Sequence, residues 1–179
     1  MVAEELLILN LKRGREEAYR QLIEKYGNRL YRTCYLILND REEAEDVVQE
    51  TFIKVFKKID TFKGQSGLYT WIYAIALNLS RDRIRMKQDM LELKDEWIGS
   101  YDVESLVEIN IDRELLKKEI FEMNSLYREV LVLFYYEELS IKEISNLLNE
   151  KEGTIKSKLS RGRNILKESL LKGGQKYEQ

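Results

Sequence analysis

The sequence predicts an all-α protein made of two small helical domains that an acidic flexible linker joins. None of its 179 residues is proline, a residue that breaks helix interiors and marks loops. Apolar residues recur at helical spacing through both halves of the chain. Between residues 89 and 108 the chain is acidic, with Lys94 as the single basic residue, and its helical periodicity is weak. We therefore expect domains at 1–88 and 112–179 and a linker at 89–111.

The first two predicted helices are separated at Asn39-Asp40. Before this break, one helix face is apolar at four-residue steps, at Leu22, Tyr26, Leu30, Cys34 and Leu38. After it, Asp40 and Glu43 resemble a capping box. The helix that follows is acidic at its start and basic at its end, which complements the helix dipole. Its predicted apolar stripe is Ala44, Val47, Val48, Phe52, Val55, Phe56 and Ile59.

A glycine-interrupted loop at 62–67 precedes a third helix that begins near Thr70. The apolar face of this helix predicts that Trp71, Ile75 and Leu79 point inward. Its end carries a basic tail, in which Asp82 is the single acid, formed by Arg81, Arg83, Arg85 and Lys87.

In the second half, helical periodicity resumes near Asp112, and Asn124-Ser125 caps the next helix. Ser140 and Glu143 match a capping box. The helix that they begin leads through a short connection at 149–153 into a helix from Thr154. One face of this last helix is apolar, and the opposite face is rich in basic and hydroxyl side chains: Thr154, Lys156, Ser157, Lys158, Ser160, Arg161, Arg163 and Asn164.

Two short helices in this arrangement are typical of a DNA-binding helix-turn-helix, in which the second helix enters the major groove. A small residue, Gly162, on the buried face would permit close helix approach. The competing interpretation is an ordinary solvated amphipathic helix. A net charge of −2 predicts that any DNA affinity comes from local patches or from a larger partner.

The composition argues against an enzyme. The chain has no histidine and one cysteine, Cys34, which removes the commonest acid–base group and leaves a cysteine zinc site without enough ligands. We therefore expect no cofactor, no metal and no small-molecule substrate. With no visible signal peptide and no apolar stretch of about 20 residues, we expect a soluble cytoplasmic protein.

Two alternatives stay open on residue patterns alone. The first is a stand-alone helix-turn-helix repressor, which would dimerise on palindromic half-sites, although no heptad seam is evident. The second is an enzyme that holds Mg²⁺ with acids such as Glu42, Glu45 and Asp46. Contiguous acids more often form a solvated first helical turn.

Four segments resemble extracytoplasmic-function (ECF) sigma factors of the sigma-70 superfamily. YREVLVLFYYEELSIKEIS at 127–145 and EGTIKSKLSRGR at 152–163 are similar to the family's region 4. AEDVVQETFIKVF at 44–56 resembles the polymerase-binding helix of region 2, and TWIYAIALNLSRD at 70–82 resembles its −10-reading helix. The family commonly has prolines where this chain has Asn124-Ser125 and Glu152, positions at which capping residues can substitute.

The resemblance implies three sets of contact residues. The coiled-coil clamp of the largest RNA polymerase subunit would be met by Asp46, Gln49, Glu50, Phe52 and Lys54. The −10 promoter element would be met by the loop at 62–69 and by Tyr69, Tyr73, Asn78 and Arg81, with Arg83, Arg85 and Lys87 on phosphates. The −35 element would be met by Thr154, Lys156, Ser157, Lys158, Ser160, Arg161 and Arg163.

The resemblance also implies partners: RNA polymerase core, promoter DNA and a membrane-anchored anti-sigma factor. It implies an envelope-stress role, and within the family the sequence is similar to the SigV-like group. The acidic linker at 89–111 would lie in the basic RNA-exit channel of the polymerase, with a solubilising tether as the alternative.

Overall fold

The computed structural model describes residues 2–89 and 113–174, and every regular element in these two ranges is a helix or a helical turn. The all-α prediction is therefore confirmed for this part of the chain. The chain divides into two compact units, Met1–Glu92 and Leu93–Gln179. The predicted linker at 89–111 lies outside the described residues, except for its first residue, Asp89, which ends a helix.

Over residues 2–89, the first unit contains four α-helices and one 3₁₀ turn. These elements are α1 (Val2–Lys12), α2 (Glu16–Leu38), α3 (Arg41–Lys58), the 3₁₀ turn Ile59–Thr61 and α4 (Leu68–Asp89). The break predicted at Asn39-Asp40 is present. Asn39 ends α2 in the left-handed conformation, and the Asp40 carboxylate caps α3 by accepting a hydrogen bond from the Glu43 N–H at 3.2 Å.

Helix α1 is an element that the sequence analysis missed. Its apolar run from Leu6 to Leu9 is continuous, so it shows no clear helical period. Leu7 and Leu11 are buried in the core of the unit, whereas Leu6 and Leu9 are exposed. Burial of two leucines against the other helices explains why this short helix is held in place.

The inward face of α4 differs from the prediction at its first turns. Tyr73, predicted to contact DNA, is 2% exposed and lies in the core. Trp71, predicted to point inward, is half-buried and packs against Phe62 with ring centroids 5.3 Å apart. The helix begins at Leu68, and its core face follows Leu68, Ile72 and Ala76, which places Tyr73 rather than Trp71 beside that face.

Over residues 113–174, the second unit contains four α-helices and one π-helical turn. These are α5 (Arg113–Glu122), α6 (Ser125–Leu131), the π turn Val132–Tyr136, α7 (Ile141–Leu148) and α8 (Glu152–Gly174). Both predicted caps form. The Asn124 side chain accepts from the Leu126 N–H at 2.9 Å, and Ser140 with Glu143 makes a complete capping box.

Gly162 lies where α8 crosses α6. A Cβ atom at this position would lie 3.2 Å from Leu131 Cδ1 and 3.3 Å from Tyr127 Cβ, closer than nearly all Cβ contacts in proteins. The close approach predicted from the sequence is therefore present. The two helices can pack at this distance because residue 162 has no side chain.

We expect Gly162→Val to destabilise the second unit by about 1–3 kcal/mol, the usual cost of overpacking a core. The matched control is Gly153→Val near the start of the same helix, where an added Cβ would have open space. That variant should unfold at or above the wild-type temperature, since valine favours a helix more than glycine does. Equal melting temperatures for the two variants in calorimetry would contradict this account of the helix crossing.

Neither described range contains a helix that is both long and apolar enough to cross a bilayer. Within the same ranges, no three acidic or cysteine side chains are grouped so that they could hold a metal ion.

Candidate functional site

The first candidate surface is an open groove between α2 and α3. It is lined by Ile23, Glu24, Gly27, Asn28, Val48, Gln49, Phe52 and Ile53. Ile53 is 53% exposed and Ile23 is 49% exposed, so two large aliphatic side chains lie in contact with solvent. An apolar groove with a polar edge of this kind is typical of a protein-binding surface.

Two of the residues predicted to bind polymerase, Gln49 and Phe52, line this α2–α3 groove. Asp46 is exposed on the same helix, and Glu50 pairs with Lys54 at 3.0 Å. The structure adds Ile53, which lies outside the apolar stripe predicted for α3. In the sequence, the signal for this groove residue was an isoleucine that lies outside the predicted buried stripe.

Phe56 belongs to the predicted stripe of α3 but is 59% exposed, so its assignment to the buried face is wrong. Its ring lies 4.9 Å from the ring of Tyr19 on α2. This contact places the side chain at the margin of the core, where one side of the ring remains in solvent.

The second candidate surface is the exposed side of α4 together with the loop before it. Asn78 and Arg85 are exposed and Arg81 is half-buried. The Tyr69 ring lies 5.1 Å from Tyr26, and the Arg29 guanidinium lies 4.6 Å from its centroid. The ring of Tyr69 is thus held between aromatic and cationic neighbours on α2.

Arg83 and Lys87 do not lie on this surface but face the acidic start of α3. Lys87 Nζ is 2.8 Å from Asp40 Oδ2 and 3.5 Å from Glu43 Oε1. Arg83 is 3.7 Å from Glu43 and 3.4 Å from Glu50. The helical phase of α4 directs these two cations to acids of the neighbouring helix, and their role as phosphate contacts stays a prediction.

The hydrogen bond between Lys87 and Asp40 shifts the pKa of both side chains. The Lys87 hydrogen bond, assisted by the Glu43 N–H, lowers the pKa of the Asp40 carboxyl below its ordinary value of 3.8. The same hydrogen bond raises the pKa of Lys87 above 10.5. Because the pKa of Asp40 is lower in the folded chain than in the unfolded chain, its ionised carboxylate stabilises the fold above pH 3.8. This stabilisation is lost as the pH falls through the folded-state pKa.

We expect Asp40→Asn to lower the melting temperature of the first unit at about pH 7, with the difference disappearing as the pH falls below 3.8 and through the lowered pKa of Asp40. Asparagine is as good an N-cap as aspartate, so the substitution removes the charge and retains the cap. Calorimetry of both proteins across this pH range tests the expectation. A difference that stays constant down to the lowest pH would mean that the charge pair contributes nothing.

The third candidate surface is the exposed face of α8. Thr154, Lys156, Ser157 and Arg161 are exposed and Ser160 is half-buried. The opposite face is in the core, with Ile155 fully buried and Leu159 2% exposed. The predicted division of this helix into a buried apolar face and an outer basic, hydroxyl-bearing face is therefore present.

Two predicted contacts on α8 are engaged within the unit. Lys158 Nζ lies 2.7 Å from the Glu150 carboxylate in the connection before α8, and both side chains are mostly buried. Lys158 is therefore directed toward the connection before α8 rather than along the outer face, and its predicted contact with DNA stays a prediction. Arg163 is half-buried, with Nη1 3.5 Å from the Tyr135 hydroxyl, at the edge of the same face.

Comparison with known proteins gives two family matches. Residues 22–89 match the sigma-70 region 2 model and residues 113–166 match the sigma-70 region 4 model. ECF RNA polymerase sigma factor SigW of Bacillus subtilis is 34% identical, over 91% of this chain and 94% of the relative. ECF sigma factor SigM of the same organism is 32% identical, over 82% of this chain and 91% of the relative.

Two solved structures share the fold. The sigma factor RpoE in complex with the anti-sigma factor NepR from Bartonella quintana is 25% identical, with a TM-score of 0.65 over 85% of this chain and 96% of that one. CnrH in complex with the cytosolic domain of CnrY is 20% identical, with a TM-score of 0.66 over 96% and 98%. The second likeness concerns the fold alone.

Proposed function

The chain belongs to the extracytoplasmic-function family of RNA polymerase sigma factors, which direct promoter recognition and transcription initiation, and from this premise we propose how its surfaces divide that work. The α2–α3 groove binds the polymerase core. The loop at 62–69 and the exposed side of α4 bind the −10 element. The outer face of α8 binds the −35 element.

The groove suits a helical partner. Its exposed Ile23 and Ile53 provide an apolar centre. The acids Asp46 and Glu50 on α3 would set the register against a basic helix. The coiled-coil clamp of the largest polymerase subunit, which the family resemblance implies as the partner, would occupy this groove. The proposed contacts are thus Asp46, Gln49, Glu50, Phe52, Ile53 and Lys54.

At the −10 element the proposed surface is smaller than the sequence suggested. Asn78, Arg81 and Arg85 lie along one side of α4 at three- and four-residue steps. Tyr69 adds a ring next to the loop. A melted promoter strand needs stacking partners and phosphate contacts, which this set supplies without Tyr73, Arg83 or Lys87.

The observation that carries most of the proposal is the outer face of α8. Lys156 and Arg161 can reach guanine edges or phosphates, and hydroxyls such as Ser157 can bond to several bases. The buried opposite face holds this helix against α6 and α7, so its side chains are presented on a fixed support. Arg163, at the edge of this outer face, would contact phosphates.

Regulation and location are proposed by analogy with a solved relative. The structure of the sigma factor RpoE contains the bound anti-sigma factor NepR. We propose that a membrane-anchored anti-sigma factor holds this protein inactive in the cytoplasm until envelope stress releases it. The domain bounds at 1–88 and 112–179, the linker at 89–111 in the RNA-exit channel and the SigV-like grouping stay predictions.

Run-off transcription with purified core polymerase on a genomic promoter library tests the proposal. The chain should redirect the core to a defined set of promoters with −10 and −35 elements. In a gel shift, promoter DNA should be bound tightly with core polymerase and weakly by the isolated chain. Tight, specific binding by the isolated chain would instead favour the stand-alone repressor.

A further inference from the structure

Helix α1 is hydrogen-bonded to both ends of the loop at 62–68. The Lys12 ammonium donates to the carbonyl oxygen of Phe62 at 2.9 Å, where the loop begins. The Glu4 carboxylate accepts from the backbone N–H of Leu68 at 3.2 Å, where the loop ends and α4 starts. The two donor–acceptor pairs are 50 and 64 residues apart in sequence, so these are tertiary contacts.

The Glu4 contact supplies a cap that the local sequence does not. The first N–H groups of a helix have no partner within the helix and are usually satisfied by a side chain just before it. Gly67 precedes α4 and has no side chain. A carboxylate from α1 takes its place and also brings a negative charge to the positive end of the helix dipole.

The ends of the loop are fixed while its middle is in solvent. Phe62 is 5% exposed and Leu68 is fully buried, whereas residues 63–67 are all exposed. Gly64 has a φ of +71°, a conformation that glycine adopts at little cost. Helix α1 is itself anchored by the buried Leu7 and Leu11. Residues 63–67 therefore connect two positions, Phe62 and Leu68, that are both hydrogen-bonded to α1.

We infer that α1 positions the loop at 62–68 for reading the −10 element, with Glu4 and Lys12 as positioning residues that do not touch DNA. This inference rests on the proposed function, in which the loop meets the −10 element. A loop held at both ends presents one conformation to the bases and can discriminate among them. Release of either end lets the loop adapt to other bases, so discrimination falls.

The test compares single variants of the full-length chain with control variants at neighbouring positions in α1 (Glu5) and immediately after it (Arg13). Glu4→Ala and Lys12→Met remove the two hydrogen bonds, whereas Glu5→Ala and Arg13→Met make the same changes at exposed positions. Glu4→Gln and Lys12→Arg retain an acceptor and a donor and serve as rescue variants. Each protein is assayed with core polymerase on a wild-type promoter and on single-base variants of its −10 and −35 elements.

We expect Glu4→Ala and Lys12→Met each to reduce discrimination at the −10 element by about threefold to tenfold, the usual effect of one hydrogen bond. Discrimination at the −35 element should stay unchanged, which separates positioning from a general loss of stability. The rescue and control variants should match the wild type. An unchanged −10 profile in both loss variants overturns the inference.

Hydrogen–deuterium exchange of the isolated chain tests the same contacts without polymerase. Glu4→Ala should speed exchange of the loop and of the first α4 amides, and Glu4→Gln should restore slow exchange. Unchanged exchange in Glu4→Ala also overturns the inference. A different result would contradict the proposed function itself: a wild-type chain that directs no promoter-specific transcription.

Discussion

Ile53→Glu should remove most of the affinity of the chain for core RNA polymerase while leaving its fold intact. Ile53 is the more exposed of the two isoleucines in the α2–α3 groove, at 53%, so glutamate can replace it without entering the core. In the complex, the same side chain would be buried against the partner. A central apolar residue in an interface is worth about 2 kcal/mol or more, and a buried unpaired carboxylate adds a further cost.

The expected loss is about 30-fold or more in the dissociation constant for core polymerase. Competition between labelled wild-type chain and each variant for core polymerase measures it. The control is Leu9→Glu, which makes the same kind of change at an exposed apolar position on α1, away from the groove lining. If both variants bind like the wild type, the groove is not the polymerase site.

The helix boundaries could be predicted because their signals are local. The Asp40 cap, the Asn124 cap and the Ser140–Glu143 box each act over three residues or fewer, so the sequence contains all that they need. The division of α8 into a buried and an outer face was predictable for a related reason. Ile155 and Leu159 repeat at helical spacing over a long element, which makes the period clear.

The remaining features depend on tertiary contacts that a single sequence does not reveal. The hydrogen bonds of Glu4 and Lys12 join residues more than 45 positions apart, and nothing near either residue indicates its partner. The basic tail of α4 was predicted as one phosphate-binding set, yet its cations point in two directions. Arg83 and Lys87 face α3 and Arg85 faces solvent, since the packing angle of α4 decides which cations meet acids.

The double substitution Lys156→Ala, Arg161→Ala should nearly abolish dependence on the −35 element. Both side chains are exposed on the outer face of α8, and removing a side chain that binds a base or a phosphate costs about 1–3 kcal/mol. The two positions are five residues apart, which corresponds to a rise of about 7.5 Å along the helix axis. Their effects should therefore approach additivity. Run-off transcription on promoters with intact and scrambled −35 elements measures the effect, and polymerase affinity should not change.

Lys158→Ala provides the discriminating comparison because it makes the same change on the same helix. Lys158 pairs with Glu150 at 2.7 Å within the unit, so its removal should lower the melting temperature and leave −35 preference unchanged. A surface that bound DNA by positive charge alone would respond equally to all three substitutions. Equal effects of Lys156→Ala, Arg161→Ala and Lys158→Ala on −35 use would therefore reject a specific reading face on α8.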